Sequence, residues 1–100
     1  MNIGTSIKEI RKGQFKGMTQ AKFAKKIGIT QTYLSQLETG HKEPSMDVLK
    51  KIAKVCKMPL SVLFLFGLEE ADVVERKKEA YRTIKPSIDA MIRSIFFNAE

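Results

Sequence analysis

Residues 20–39 read QAKFAKKIGITQTYLSQLET, and the fold turns on them. Phe23, Ala24 and Ile27 give one short helix its apolar face, with Thr19 placed to cap its start. Gly28 follows directly, where a helix commonly ends in a left-handed residue that glycine tolerates. Only Ile29 separates it from Thr30, a second capping residue, and Leu34 and Leu37 give the next helix its inward face. Ala24 sits where two helices must approach closely, and a larger side chain would hold them apart. Ile27 and Ile29 flank the turn and plug the angle. The stretch reads as helix, tight turn, helix.

Working outward, Ile3, Ile7 and Ile10 fall at i, i+4 and i+7 on one face of a preceding helix, punctuated by Gly13 and Gly17. Downstream, Gly40 stops the third helix and residues 41–44 form a loop. Ser45 caps a fourth helix, on which Leu49, Ile52, Ala53 and Cys56 lie along one stripe. Pro59 opens a short fifth helix ending near Gly67. Five helices joined by short connections make an all-α domain over residues 1–68.

The tail, residues 69–100, has a different pattern. Val74, Tyr81, Ile88 and Ile95 recur every seven residues, with Ile84 and Met91 at the interleaved positions, a short coiled-coil-like seam. Pro86 interrupts it, because an interior proline loses a hydrogen bond and clashes with the preceding turn, costing about 3 kcal/mol. The pattern predicts a helical extension of two helices, 70–83 and 86–97, with Pro86 in the first turn of the second. One long kinked helix is the alternative.

Composition narrows the function. The chain has 100 residues, 43% of them hydrophobic, enough for one modest core. Its net charge is +7, unevenly placed: residues 1–68 hold 12 Lys/Arg against 4 Asp/Glu, and residues 69–100 hold 6 against 7. A basic front half points to an anionic partner, nucleic acid first, set against plain solubility as the reason for surplus lysine. One cysteine and one histidine exclude a disulfide framework, Cys-rich zinc and three-His metal sites, so no cofactor is expected. No GxSxG, P-loop or GxGxxG pattern occurs, which argues against an enzyme. The longest apolar run, 62–66, falls far short of the roughly 20 residues that span a bilayer. The first residues lack a signal-peptide pattern. A cytoplasmic protein with no membrane partner is expected.

The ordered series Gln20, Ala24, Gly28, Ile29, Tyr33-Leu34, Gln36-Leu37-Glu38, Gly40 and Pro44 resembles the phage-repressor-type, or XRE/Cro-like, helix-turn-helix family. The resemblance runs over about two-thirds of the chain, residues 3–68. It implies a five-helix domain that binds double-stranded DNA, usually as a dimer, and acts on transcription in a bacterium or phage. It also implies that Arg11 pairs with Glu38, and that Gln20 lies at the DNA backbone and braces a base-reading glutamine. Between Arg11 and Gly17 the chain departs from the family by carrying about two extra residues.

The third helix, 31–39, sorts by angle at about 100° per residue. Leu34 and Leu37 define its inward side, Thr32, Ser35, Gln36 and Thr39 point outward, and Gln31 projects from the N-terminal edge. None of these outward residues is charged, whereas an ordinary solvated face would carry Glu and Lys. Such a face suits base edges: glutamine bonds bidentately to adenine, and threonine methyls meet the thymine methyl. Gln31, Thr32, Ser35 and Gln36 are therefore the expected base readers. Thr19, Gln20, Lys22, Thr30, Tyr33, Thr39 and Lys42 are the expected backbone contacts. Thr19 and Thr30 leave helix-start amides free to face phosphates, and Lys42 follows the third helix where the family contacts phosphate. Tyr33 either offers its hydroxyl to a phosphate or packs on the core edge.

One recognition helix covers few base pairs, so two copies on a two-fold axis would read half-sites about 34 Å apart. Val62, Leu65, Phe66, Tyr81, Ile84, Ile88, Met91 and Ile95 form the expected homodimer surface. Two competing readings fold the tail back on its own domain, or give it to a partner protein, as in antitoxins that share this DNA-binding fold. Repression is the default direction of control, because a dimer on a promoter blocks polymerase.

Overall fold

Short polar side chains start four helices of the computed structural model, which describes residues 1–97. Asn2 accepts from the Thr5 amide at the start of α1 (Ile3–Gln14), and Thr19 from the Lys22 amide at the start of α2 (Gln20–Ile27). Thr30 accepts from the Tyr33 amide for α3 (Gln31–Glu38), and Ser45 from the Val48 amide for α4 (Met46–Cys56). Each cap satisfies one amide that the helix itself cannot, worth about 1 kcal/mol. Pro59 precedes α5 (Leu60–Phe66), two 3₁₀ turns follow (Glu70–Asp72 and Glu75–Lys77), and α6 (Lys78–Phe96) closes the order. The described residues are all-helical, with no strand among them. No helix among them is long and apolar enough to cross a membrane.

The apolar stripes read from the sequence converge on one core. Ile7, Ile10, Phe23, Leu34, Leu37, Ile52, Cys56 and Leu63 are fully buried there, with Ala24 between α2 and its neighbours. Burial pushes the Cys56 thiol up to about 12, so it packs as a small inert hydrophobe. Gly28 ends α2 at φ 90°, and its amide and that of Ile29 both return to the Ala24 carbonyl at 2.8 and 3.0 Å. That left-handed cap sets the angle between α2 and α3. Gly4 serves a different need: a Cβ there would stand 2.1 Å from the Leu37 carbonyl oxygen. Its absence lets α1 lie directly on the C-terminal turn of α3.

The tail departs from the expected pair of helices. α6 begins at Lys78 rather than near residue 70, because Val73 and Val74 hold extended backbone between the two turns (ψ 134° and 149°). β-branched residues lower helix propensity and favour that conformation. The first turn is closed by a reciprocal cap between Glu69 and Asp72. Pro86 lies inside one continuous α6, not at the head of a second helix. Its ring is exposed, and flanking side chains anchor the helix on both sides. Ile92 enters the core, and Phe97 meets Phe66 edge-on at 5.5 Å. The Lys85 ammonium, nearly buried, donates to Asp89 at 2.7 Å and to the Phe66 carbonyl at 3.4 Å. Arg82 pairs with Glu70, and Arg93 reaches Glu9 of α1 at 3.2 Å. One face of α6 thus lies on the chain's own α5.

Candidate nucleic-acid interface

The N-terminal half of α3 faces solvent. Gln31 and Thr32 are exposed, Ser35 and Gln36 half-buried, and Leu34 and Leu37 hold the opposite side in the core. Among the described residues, none of the four polar side chains is engaged in a hydrogen bond within the chain. Their amides and hydroxyls therefore remain available to an incoming partner.

Behind this surface lies a buried polar network. Arg11 donates from Nε and Nη2 to the two carboxylate oxygens of Glu38 at 2.8 and 2.9 Å, and from Nη1 to the Met18 carbonyl at 3.0 Å. The pair that the family resemblance implies is present, and the extra residues after Arg11 do not displace it. Burial pushes the Glu38 carboxyl up, but hydrogen bonds from Arg11 and then Gln20 outweigh it and hold the group below its ordinary range. The Gln20 amide donates to Glu38 at 2.9 Å, which the sequence did not disclose. The bond fixes the amide orientation and turns the Gln20 carbonyl oxygen away from Glu38. Glu38 thereby ties α1, α2 and α3 together at one point.

The other expected backbone contacts divide by environment. Lys22 and Lys42 are exposed, and the Lys42 amide donates to the Gln36 carbonyl at 3.2 Å, tying the loop to α3. Thr19 and Thr30 are exposed, each with its hydroxyl oxygen accepting a helix-start amide. Tyr33 is half-buried with its side chain against the core. The Thr39 hydroxyl donates to the Ser35 carbonyl at 2.9 Å and lies 2.7 Å from His41 Nδ1, so the loop histidine has a partner.

Of the residues expected at a dimer surface, Ile84, Met91 and Ile95 are 53, 55 and 57% exposed, and Leu65 is 37% exposed. Val62 and Ile88 are half-buried. Phe66 is a correction: α6 of the same chain covers it, leaving 7% exposed. Tyr81 is also drawn inward, with its hydroxyl donating to the Leu68 carbonyl at 2.8 Å. Val74 lies ahead of α6, off its seam.

A family model described as helix-turn-helix matches residues 7–63. The ImmF control region 10 kDa protein of Bacillus phage phi105 is 38% identical over 73 residues, covering 73% of this chain and 76% of that protein. An HTH-type transcriptional regulator of Archaeoglobus fulgidus is 39% identical over 66 residues, covering 66% of this chain and 91% of its own length. Transcriptional regulator ClgR of Mycobacterium tuberculosis is 29% identical over 96 residues, 93% of this chain and 84% of ClgR. No solved structure matches significantly.

Proposed function

The chain belongs to the helix-turn-helix family of DNA-binding transcriptional regulators, and on that premise we propose that it is a cytoplasmic repressor. It binds a two-fold symmetric operator as a homodimer, with α3 in the major groove. The observation that carries this reading is the uncharged, solvent-facing side of α3, whose hydrogen-bonding groups are unclaimed within the described chain. Gln31, Thr32, Ser35 and Gln36 read base edges. Gln20, steadied by Glu38, meets the backbone together with Thr19, Lys22, Thr30, Tyr33, Thr39 and Lys42. The role is binding, not catalysis.

Dimerisation is supported by apolar surface outside the core. Ile84, Ile88, Met91 and Ile95 fall at i, i+4, i+7 and i+11, one narrow stripe along α6. Leu65 adds a further exposed apolar side chain on α5. A single protomer reads too few base pairs for a genomic address, and a second copy supplies the other half-site. The same stripe also fits a partner protein.

Selecting bound duplexes from random DNA with the full chain tests the proposal. A two-fold symmetric consensus with half-sites about one helical turn apart is the expected result. A single asymmetric site, or no enrichment, would overturn it. Co-purification of an unrelated small protein would move the stripe from self-association to partner binding.

A further inference from the structure

We propose that the groove between the C-terminal turn of α2 and the outer face of α4 docks a short acidic protein segment carrying a bulky apolar side chain. The groove is shallow and open to solvent, with a volume of about 530 Å³, and is lined by Lys26, Ile27, Lys51, Lys54, Val55 and Lys57. No residue of α3 or of its caps lines it, so its lining is distinct from the residues assigned to base readout.

Three observations carry the assignment. First, four of the six residues lining the groove are lysines, and among the described residues none of their ammonium groups is paired with a carboxylate. Lys26 lies over the Phe15 ring at 5.8 Å, a contact that leaves its charge uncompensated. Like charges gathered in one concavity repel one another and raise the local concentration of anions. Second, the floor is apolar: Val55 is half-buried, Ile27 lies beneath it, and lysine stems extend the apolar surface. A phosphate backbone has no group to set on that floor, whereas a peptide with a Phe or Leu between acidic residues matches both floor and rim. Third, Lys57 ends α4 in the left-handed conformation, φ 55° and ψ 44°, and is the one non-glycine residue with positive φ among those described. Glycine is favoured there on backbone grounds alone. The lysine adds a charged side chain to the lining at a backbone position where glycine would be less strained.

The test uses the full chain and a fluorescently labelled synthetic peptide of alternating Glu and Asp around a central Phe-Leu pair. Saturable binding by anisotropy is expected, weakened about tenfold by Lys51→Glu with Lys54→Glu, and about tenfold when Ala-Ala replaces Phe-Leu in the peptide. Lys57→Gly should raise Tm while weakening peptide binding, which separates a function of the lysine from any loss of folding. The proposal fails if the peptide does not bind saturably, or if the lysine variants bind it as tightly as the parent chain. It fails equally if the Ala-Ala peptide and a random-sequence duplex compete as well as the Phe-Leu peptide, since the groove would then be a general polyanion surface.

Discussion

Glu38 brings a negative charge to a place where only 1% of its side chain meets solvent, and Arg11 meets it there with 9%. The fold tolerates both because the two charges are hydrogen-bonded: two guanidinium bonds reach the carboxylate, one reaches the Met18 carbonyl, and Gln20 donates a further bond to Glu38. Such a pair adds little over apolar residues of the same volume, but removing one partner strands a buried charge. Arg11→Ala and Glu38→Gln should each cost about 3 kcal/mol in urea unfolding, while Arg11→Met combined with Glu38→Leu recovers much of the loss. Unchanged midpoints in both single variants would remove the pair from the account. The pH dependence has a definite sign. The Glu38 carboxyl is held below its ordinary value of 4.5, so the unfolded chain takes up the proton first as pH falls. Its stabilisation is therefore complete above that ordinary value and disappears as pH drops through the lower folded value. Glu70 and Asp72 shift the same way through Arg82 and the terminal amino group. The diagnostic quantity is therefore the stability difference between the parent chain and Glu38→Gln, which should shrink on acidification.

Helix placement turns these contacts into a surface. α1 meets α3 at Gly4, where a methyl group would sit 2.1 Å from the Leu37 carbonyl oxygen. Gly4→Ala must push α1 off α3 and strain the Arg11–Glu38 bridge that joins the same helices. A loss of about 2 kcal/mol, read from thermal unfolding, is expected. On α3 itself, side chains of different roles should fail differently. Gln31→Ala or Gln36→Ala should remove about 1–3 kcal/mol of discrimination at one base pair, measured on operator variants. Lys42→Ala should weaken all sequences alike and lower the salt slope by about one. Equal losses on operator and random DNA for the glutamine variants would refute base readout. α2 and α3 were legible in the sequence because the Thr19 and Thr30 caps, the left-handed Gly28 and the apolar spacing agree there. α6 was less so. Its heptad spacing drew attention to the Ile84–Ile95 stripe, yet the line facing α5 runs through Lys85 and Ile92. A lysine reads as solvent-facing, and only the nearby Asp89 and the Phe66 carbonyl make its burial tolerable. The Gln20–Glu38 bond was hidden for a similar reason, since it depends on how α2 is tilted against α3 and not on local spacing.

The molecule as a whole is 42 × 30 × 21 Å, with its basic excess in the first 68 residues and its charge-balanced tail carrying the exposed apolar stripe. A two-fold symmetric site would hold two recognition helices about 34 Å apart, one DNA turn. If two copies associate, the near-neutral tail is where like-charge repulsion between them is smallest. Ile84 and Met91 are more than half exposed, so Ile84→Glu with Met91→Glu should leave the fold intact by circular dichroism. In a dimer the same changes set carboxylates against an apolar surface or against each other. Sedimentation at micromolar concentration should show a dimer for the parent chain and a monomer for the double variant. Operator affinity should fall about a hundredfold, because the second half-site no longer binds as an intramolecular step. A parent chain that sediments as a monomer, or a variant that stays dimeric with full affinity, would place self-association elsewhere and leave the α6 stripe to a different protein.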